Sequence, residues 1–292
     1  MDADDVGVIS AVLAVAALAG CPVFPTDNYW NAPINTLPVH QSSGRWVSSI
    51  GDTDLHPDFG GRQYGIPVTV TRKKPRTAVR FDYADESDQV RYPLRRSTRI
   101  EGGSDRHTVV VDARRCRLYE TWNTRRTATG WRAGSGAVWN LRSNRLRPAG
   151  WTSADAAGLP ILPGLLRWSE VRAGSVDHAI RFTAPTTAPR YLWPARHQAG
   201  SDPSAPPMGA RFRLVSGFDT SGYSTRTRTV LRAMQTYGLV LADNGSPWYF
   251  QGERNAKWPA RMIEELKTVP SSAFEAVDTA GMMVEDRSAR VR

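Results

Sequence analysis

Lysine is almost missing from this chain: Lys73, Lys74, Lys257 and Lys267 are the only ones, so the formal net charge of +10 rests on arginine. Arginine gathered in a stripe with interleaved aromatics would suit a nucleic acid. Here it is spread in short clusters, Arg95-Arg96, Arg114-Arg115 and Arg125-Arg126, which read as solvated surface, and no nucleic-acid partner is expected. Cysteine is nearly as scarce. With Cys21 and Cys116 alone and no CxxC pair, thiolate zinc sites are excluded. Ser135 in GSGAV lacks the G-x-S-x-G elbow, and no glycine pattern suits a phosphate, so an elbow-type serine hydrolase and a nucleotide cofactor are not expected. No histidine pair has the i,i+2 or i,i+4 spacing of common zinc motifs, so no metal is expected either.

Long apolar runs are also lacking, with one exception. Residues 6–19, VGVISAVLAVAALA, are too short to span a bilayer and suit the core of a signal peptide, which predicts a leader over 1–20 and an extracellular or cell-envelope location. The MDADD start is acidic where a leader carries positive charge, and a buried N-terminal helix is the alternative. Leu18-Ala19-Gly20-Cys21 resembles the lipobox of bacterial lipoproteins, which would place a lipid on Cys21 as the sole membrane contact. Read instead with Ala17-Leu18-Ala19 as a cleavage site, both cysteines enter an oxidising compartment, and a Cys21–Cys116 disulfide is the first reading.

What the chain has in quantity is turns and short β-prone runs. With 20 prolines and 24 glycines among stretches such as IPVTVT (66–71), TAVRFDYA (77–84), HAIRFTA (178–184) and ARFRLVSG (210–217), it reads as strands joined by irregular loops. HTVVVDA (107–113) and CRLYETWN (116–123) read as a hairpin, and LVLADNGSPWYFQG as a second one about Asn244-Gly245. Helices are expected near 225–237, with Ser224 or Thr225 as cap and Gly238 as stop, and near 259–268. At 292 residues without repeats or linkers, the expected architecture is mainly β. It is a jelly-roll-like β-sandwich over 21–283 with long loops and two or three short helices, monomeric, with a disordered tail at 284–292.

Candidate chemistry lies where carboxylates, histidines and tryptophans meet loops. In GWTSADAAGLPILPG, Thr152 and Asp155 match a capping box, so Asp155 reads first as a helix cap and second as an acid beside Trp151. EGGSDRHTVVVD sets Glu101, Asp105 and His107 at a strand mouth; His178 opens another strand, and His197 follows Arg196 in YLWPARHQAG. Asp243 ends a strand before Trp248 and Tyr249. Of the 10 tryptophans, Trp131, Trp139, Trp193 and Trp248 sit in loops, which suggests aromatic rings along a groove.

The segments TDNYWNAPINTLPVH, DLHPDFGG, YGIPVTV, DRHTVVVD, GWTSADAAGLPILPGLLR, PPMGARFRL and ADNGSPWYFQG resemble those of a group of exported bacterial proteins, over about Val23 to Asp278. That resemblance implies one exported domain and carries no activity. From the residues themselves, two functions are in play. The first is a carbohydrate-active enzyme cleaving a polysaccharide or cell-wall glycan. In it Asp155, Asp243 and Asp105 would work as acid, base or nucleophile, with His107 and His178 positioning and Trp139, Trp193, Arg196, His197, Trp248 and Tyr249 binding substrate. A lyase acting on a uronate polymer, with a histidine or Tyr249 as base, is a variant of it. The second is a glycan-binding surface module without catalysis.

Overall fold

A computed structural model describes residues 17–292, so most of the apolar run at 6–19 lies outside the described residues. The first half of the chain runs β1 (Ala17–Leu18), β2 (Cys21–Pro22), α1 (Ser43–Ile50), β3 (His56–Asp58), β4 (Val68–Thr71), β5 (Val79–Phe81), β6 (Thr108–Asp112), β7 (Arg117–Trp122), β8 (Arg125–Thr127), β9 (Gly130–Ala133) and β10 (Ser135–Asn140). The second half adds α2 (Trp168–Ala173), β11 (Ile180–Ala184), β12 (Arg211–Leu214), α3 (Thr225–Thr236), β13 (Leu239–Asn244), β14 (Tyr249–Gln251), α4 (Ala260–Leu266) and β15 (Phe274–Val277). The chain is mainly β with few short helices, the sandwich class its composition implies.

Two sheets carry most of the strands. One has the order β10-β7-β6-β4, the other β15-β12-β13-β11-β14-β3. β6 reads TVVVD because both its faces are covered: Val109 and Val111 pack with Ile66, Leu118, Ile161 and Leu165, while Val110 packs with Tyr92, Tyr119 and Ala133. The expected hairpin at 107–123 is present, with Thr108 opposite Thr121 and Asp112 opposite Arg117.

The hairpin expected about Asn244-Gly245 is not. β11 enters between its two strands, pairing in parallel with β13 and antiparallel with β14. The local turn signal is overridden because β11 brings Phe182, which stacks on Trp248 with centroids 5.4 Å apart and buries both rings completely. A bulge between Phe182 and Thr183 shifts the β11–β13 register, so that Thr183 faces Asp243 rather than Ala242. Bulges of this kind re-aim side chains.

The disulfide joins Cys21 to Cys116, tying the β1–β2 hairpin to the turn before β7 across 95 residues of sequence. A sulfur so bonded carries no lipid thioether. Closing a loop of that length stabilises a fold by about 4 to 5 kcal/mol in the loop-entropy view. No helix among the described residues is long and apolar enough to cross a membrane.

The helices near 225–237 and 259–268 form, but Ser224 does not cap its own backbone. Its hydroxyl donates to Glu265 of α4 at 2.6 Å, so the first turn of α3 is fastened to α4 instead. The tail after Val284 is ordered. Ala289 is buried, Val291 N–H donates to Asp27 O at 2.9 Å, and Arg290 pairs with Asp27 at 3.0 Å. Its charges suggest disorder, but the small residues Ser288 and Ala289 between them fit against the body of the protein.

Candidate functional site

Residues 151–159, expected to start a helix, form a knotted turn. Ser153 is its hub: the hydroxyl donates toward Leu159 O at 2.6 Å and Asp155 O at 3.0 Å, and accepts from Asp155 N–H at 2.9 Å. Gly158 closes the turn with φ +68°, and a Cβ there would lie 2.5 Å from Trp151 O, so only glycine fits. Three outside anchors fix the turn: Ser135 of β10 donates to Ser153 O at 2.5 Å, His107 Nε2 lies 3.1 Å from Ala154 O, and Ala157 N–H donates to Ala242 O at 2.9 Å.

That pose aims Asp155 away from any helix and at Arg181 of β11. Arg181 Nε and Nη2 donate to its two oxygens at 3.1 and 2.9 Å, with neither side chain more than 2 % exposed. Asp155 is therefore not a cap. A carboxylate this deep needs a partner, and the arginine supplies one with matched fork geometry. The same Nη2 lies 3.7 Å from Asp243 Oδ2, so both carboxyl groups converge on one guanidinium nitrogen.

His107 forms the next layer. Its Nδ1 is 2.5 Å from Glu101 Oε2 and its Nε2 faces a carbonyl, so both nitrogens meet acceptors, an arrangement that favours the doubly protonated ring. Burial opposes that charge, but Glu101 outweighs it and raises the His107 pKa. Glu101 in turn is held below the usual carboxylate range by His107, against its own burial. Two cations, Arg181 and His107, thus face three acids, Asp155, Glu101 and Asp243, and Asp243 has only the more distant share of Arg181. Burial, with the Asp155 charge added, pushes Asp243 up to about 7. Asp155 is also raised by burial, with Arg181 opposing.

These groups open onto a cavity of about 410 Å³ lined by Glu86, Asp105, Asp155, Asp243, His197, Tyr83 and Trp122 among others. The volume is in the range of small-molecule sites. Asp243 keeps a quarter of its side chain accessible there, whereas Asp155 has none. Glu86 accepts Thr152 N–H at 2.9 Å and sits 4.0 Å from His197 Nε2. Tyr83, 52 % exposed, and Trp122 tilt together with ring centroids 6.3 Å apart. No lysine or arginine lines the cavity among the described residues.

No family model, no curated protein and no solved structure matches this chain.

Of the residues singled out in the sequence, Asp155, Asp243, Asp105 and His197 come together in this cavity, and His107 lies directly behind it. The others go elsewhere. His178 is sealed beside Glu170, 3.3 Å away. Trp248 is wholly buried and donates to Gly51 O at 2.9 Å; Tyr249 stacks on His56 at 4.0 Å. Trp139 is buried in the core below β7 and β10. Trp193 donates to Ser288 O at 2.9 Å, and Arg196 grips Asp286 at 3.0 Å, so both hold the C-terminal tail. Trp139 is on β10 and Trp131 on β9, not in loops as expected, and for Trp193 and Trp248 loop position misleads because tryptophan is mostly buried wherever it sits.

Arg181, Glu86, Tyr83 and Trp122 were not singled out. Arg181 and Glu120 had a visible signal, a charge inside an apolar strand. Glu120 is fully buried on β7, accepts the N–H groups of Ile161 and Leu162, and is pushed by burial up to about 7. It braces the turn that follows Pro160 and does not line the cavity. Among the described residues no group of three or more His, Cys, Asp or Glu side chains is arranged to hold a metal ion.

Proposed function

We propose that this is an exported hydrolase that cleaves a glycan by carboxylate acid–base chemistry. The observation that carries the reading is Asp243, a carboxyl group open to the cavity whose proton affinity is raised to about 7 by burial and by Asp155. A carboxylic acid that stays protonated near neutral pH is what a glycosidic leaving group requires. Asp155 is closed off by Arg181 and acts on Asp243 through charge rather than on the substrate.

Glu86 supplies the second carboxylate, held in place by Thr152 N–H and next to His197. In the proposed step Asp243 gives its proton to the bridging oxygen as that C–O bond breaks. Glu86 takes a proton from a water whose oxygen bonds to the anomeric carbon. Tyr83 and Trp122 offer flat apolar faces of the kind a sugar ring stacks on. The lyase variant is favoured less: His197 remains in the cavity as a candidate base, but Tyr249 stacks on His56, Arg196 pairs with Asp286, and the acidic lining offers no cation to a uronate.

The test is turnover on a polysaccharide panel, followed by new reducing ends, for the wild type, Asp243→Asn and Glu86→Gln. New reducing ends from the wild type and a large loss in both variants support the hydrolase. Binding by the wild type without new reducing ends on any polymer supports the non-catalytic glycan-binding module instead.

A further inference from the structure

Beside the acidic cavity lies a second groove of about 570 Å³, lined by Ile100, Arg106, Arg125 and Arg126. The two depressions share one ridge of backbone. Asp105 and Trp122 line the cavity, while Arg106, the next residue after Asp105, and Arg125, three residues after Trp122, line the groove. The ridge is knitted by Asn123 N–H to Asp105 O at 2.7 Å and Thr124 N–H to Arg106 O at 3.2 Å. Arg106 and Asn123 both have left-handed backbone, φ +51° and +49°, which is uncommon outside glycine and lets the chain switch sides here.

The three guanidinium groups are held in place without being neutralised. Arg106 Nε donates to Thr124 O at 3.0 Å and Arg125 Nε to Asn123 Oδ1 at 3.3 Å. Arg126 Nη2 donates to Arg96 O at 2.7 Å, and its guanidinium lies 5.3 Å from the Trp131 ring centroid. Among the described residues none of the three is in an ion pair. Unpaired arginines gathered along one open groove favour anionic ligands.

We infer that Arg106, Arg125 and Arg126 form an anchoring subsite for the charged units of a mixed neutral and anionic polysaccharide, whose neutral unit enters the acidic cavity. The inference rests on the glycan reading of that cavity. A polymer charged on every unit would place anions against Glu86 and Asp105, which repels it; a neutral polymer would leave the arginines unused. A nucleic acid fits less well, because the groove presents no aromatic ring for base stacking, Trp131 lying beneath Arg126.

The experiment measures equilibrium binding of Asp243→Asn protein, so that no probe is consumed, to hyaluronan and gellan oligosaccharides, polygalacturonate, dextran and a single-stranded oligodeoxynucleotide. Arg125→Ala/Arg126→Ala is compared with Arg228→Ala/Arg232→Ala, which removes the same charge from the exposed face of α3. The expected result is that hyaluronan or gellan binds best, that the groove variant weakens it about tenfold and flattens its salt dependence, and that the α3 variant changes it less than about twofold. Equal losses in both double variants, no loss in either, failure of both mixed polymers to bind, or tighter binding of polygalacturonate or the oligonucleotide would overturn the inference. Because the readout is binding, a groove that behaves as expected in a protein without turnover removes the hydrolase reading alone.

Discussion

Two buried clusters in this protein use the same three ingredients, an arginine, a carboxylate and a histidine, and only one opens to solvent. In the sealed cluster Arg167 and His178 flank Glu170, whose pKa burial would raise but whose two partners hold below the usual range. Every acid there has a cation. In the other, Arg181 and His107 are matched by Asp155 and Glu101, and Asp243 is one carboxyl too many. The surplus acid, placed at the cavity wall, holds its proton to about 7. The difference teaches that chemistry here follows from an unbalanced count of charges at a site with access, and not from the residue types, which both clusters share.

Removing the central cation should break the comparison most severely. Arg181→Met leaves Asp155 buried without a partner, and about 3 to 5 kcal/mol of unfolding free energy is expected to be lost in denaturant titrations. Arg167→Met leaves Glu170 with His178 and should cost less; equal losses would mean that both arginines are ordinary core pairs.

Asp243→Asn sharpens the same contrast. Turnover should fall by about 100-fold or more, read as reducing ends released. Stability responds with a definite sign. The folded pKa of Asp243 lies above that of the unfolded chain, so folding holds a proton that the unfolded state has already released. Wild-type stability from this group therefore falls as pH rises from about 4 toward 7, by about 1.4 kcal/mol per unit within that window. The asparagine variant lacks that slope, so its stability relative to the wild type should increase between pH 5 and pH 8 in paired melts. Turnover by the wild type should decline as pH rises past about 7, when the acid is lost.

How much of this could be read from the sequence follows from range. β6–β7 and the helix at Thr225–Thr236 were legible because pattern and turn lie within one stretch of chain. The pairing of β13 was not, since the Asn244-Gly245 turn signal is local and the insertion of β11 is decided by how Phe182 packs on Trp248. Asp155 was visible as an unusual acid, but a capping box and a buried ion pair look alike until Arg181, 26 residues away, is placed beside it. Trp193 and Arg196 resembled binding residues because their partners, Ser288 and Asp286, belong to a tail whose charge suggested disorder.

Smaller effects test the sealed cluster and the cavity wall. Glu170→Gln should lower stability by about 1 to 3 kcal/mol by leaving its partners underbonded, with turnover per folded molecule unchanged. A collapse of turnover at constant fold would bring His178 back among the working residues. Tyr83→Ala should leave the melting temperature within error, since the side chain is 52 % exposed, and weaken glycan binding by about 1 kcal/mol in calorimetry.

The central claim, that one carboxyl group at the cavity has no cation of its own, sharing Arg181 with Asp155, and keeps its proton, is most directly measured by a carbon-13 NMR titration of aspartate-labelled protein, comparing the wild type with Asp243→Asn. The account predicts an aspartate carboxyl signal with a midpoint of about 7 in the wild type that disappears in the variant. A spectrum in which the signal lost on substitution titrates below about 5, in the ordinary aspartate range, would contradict it.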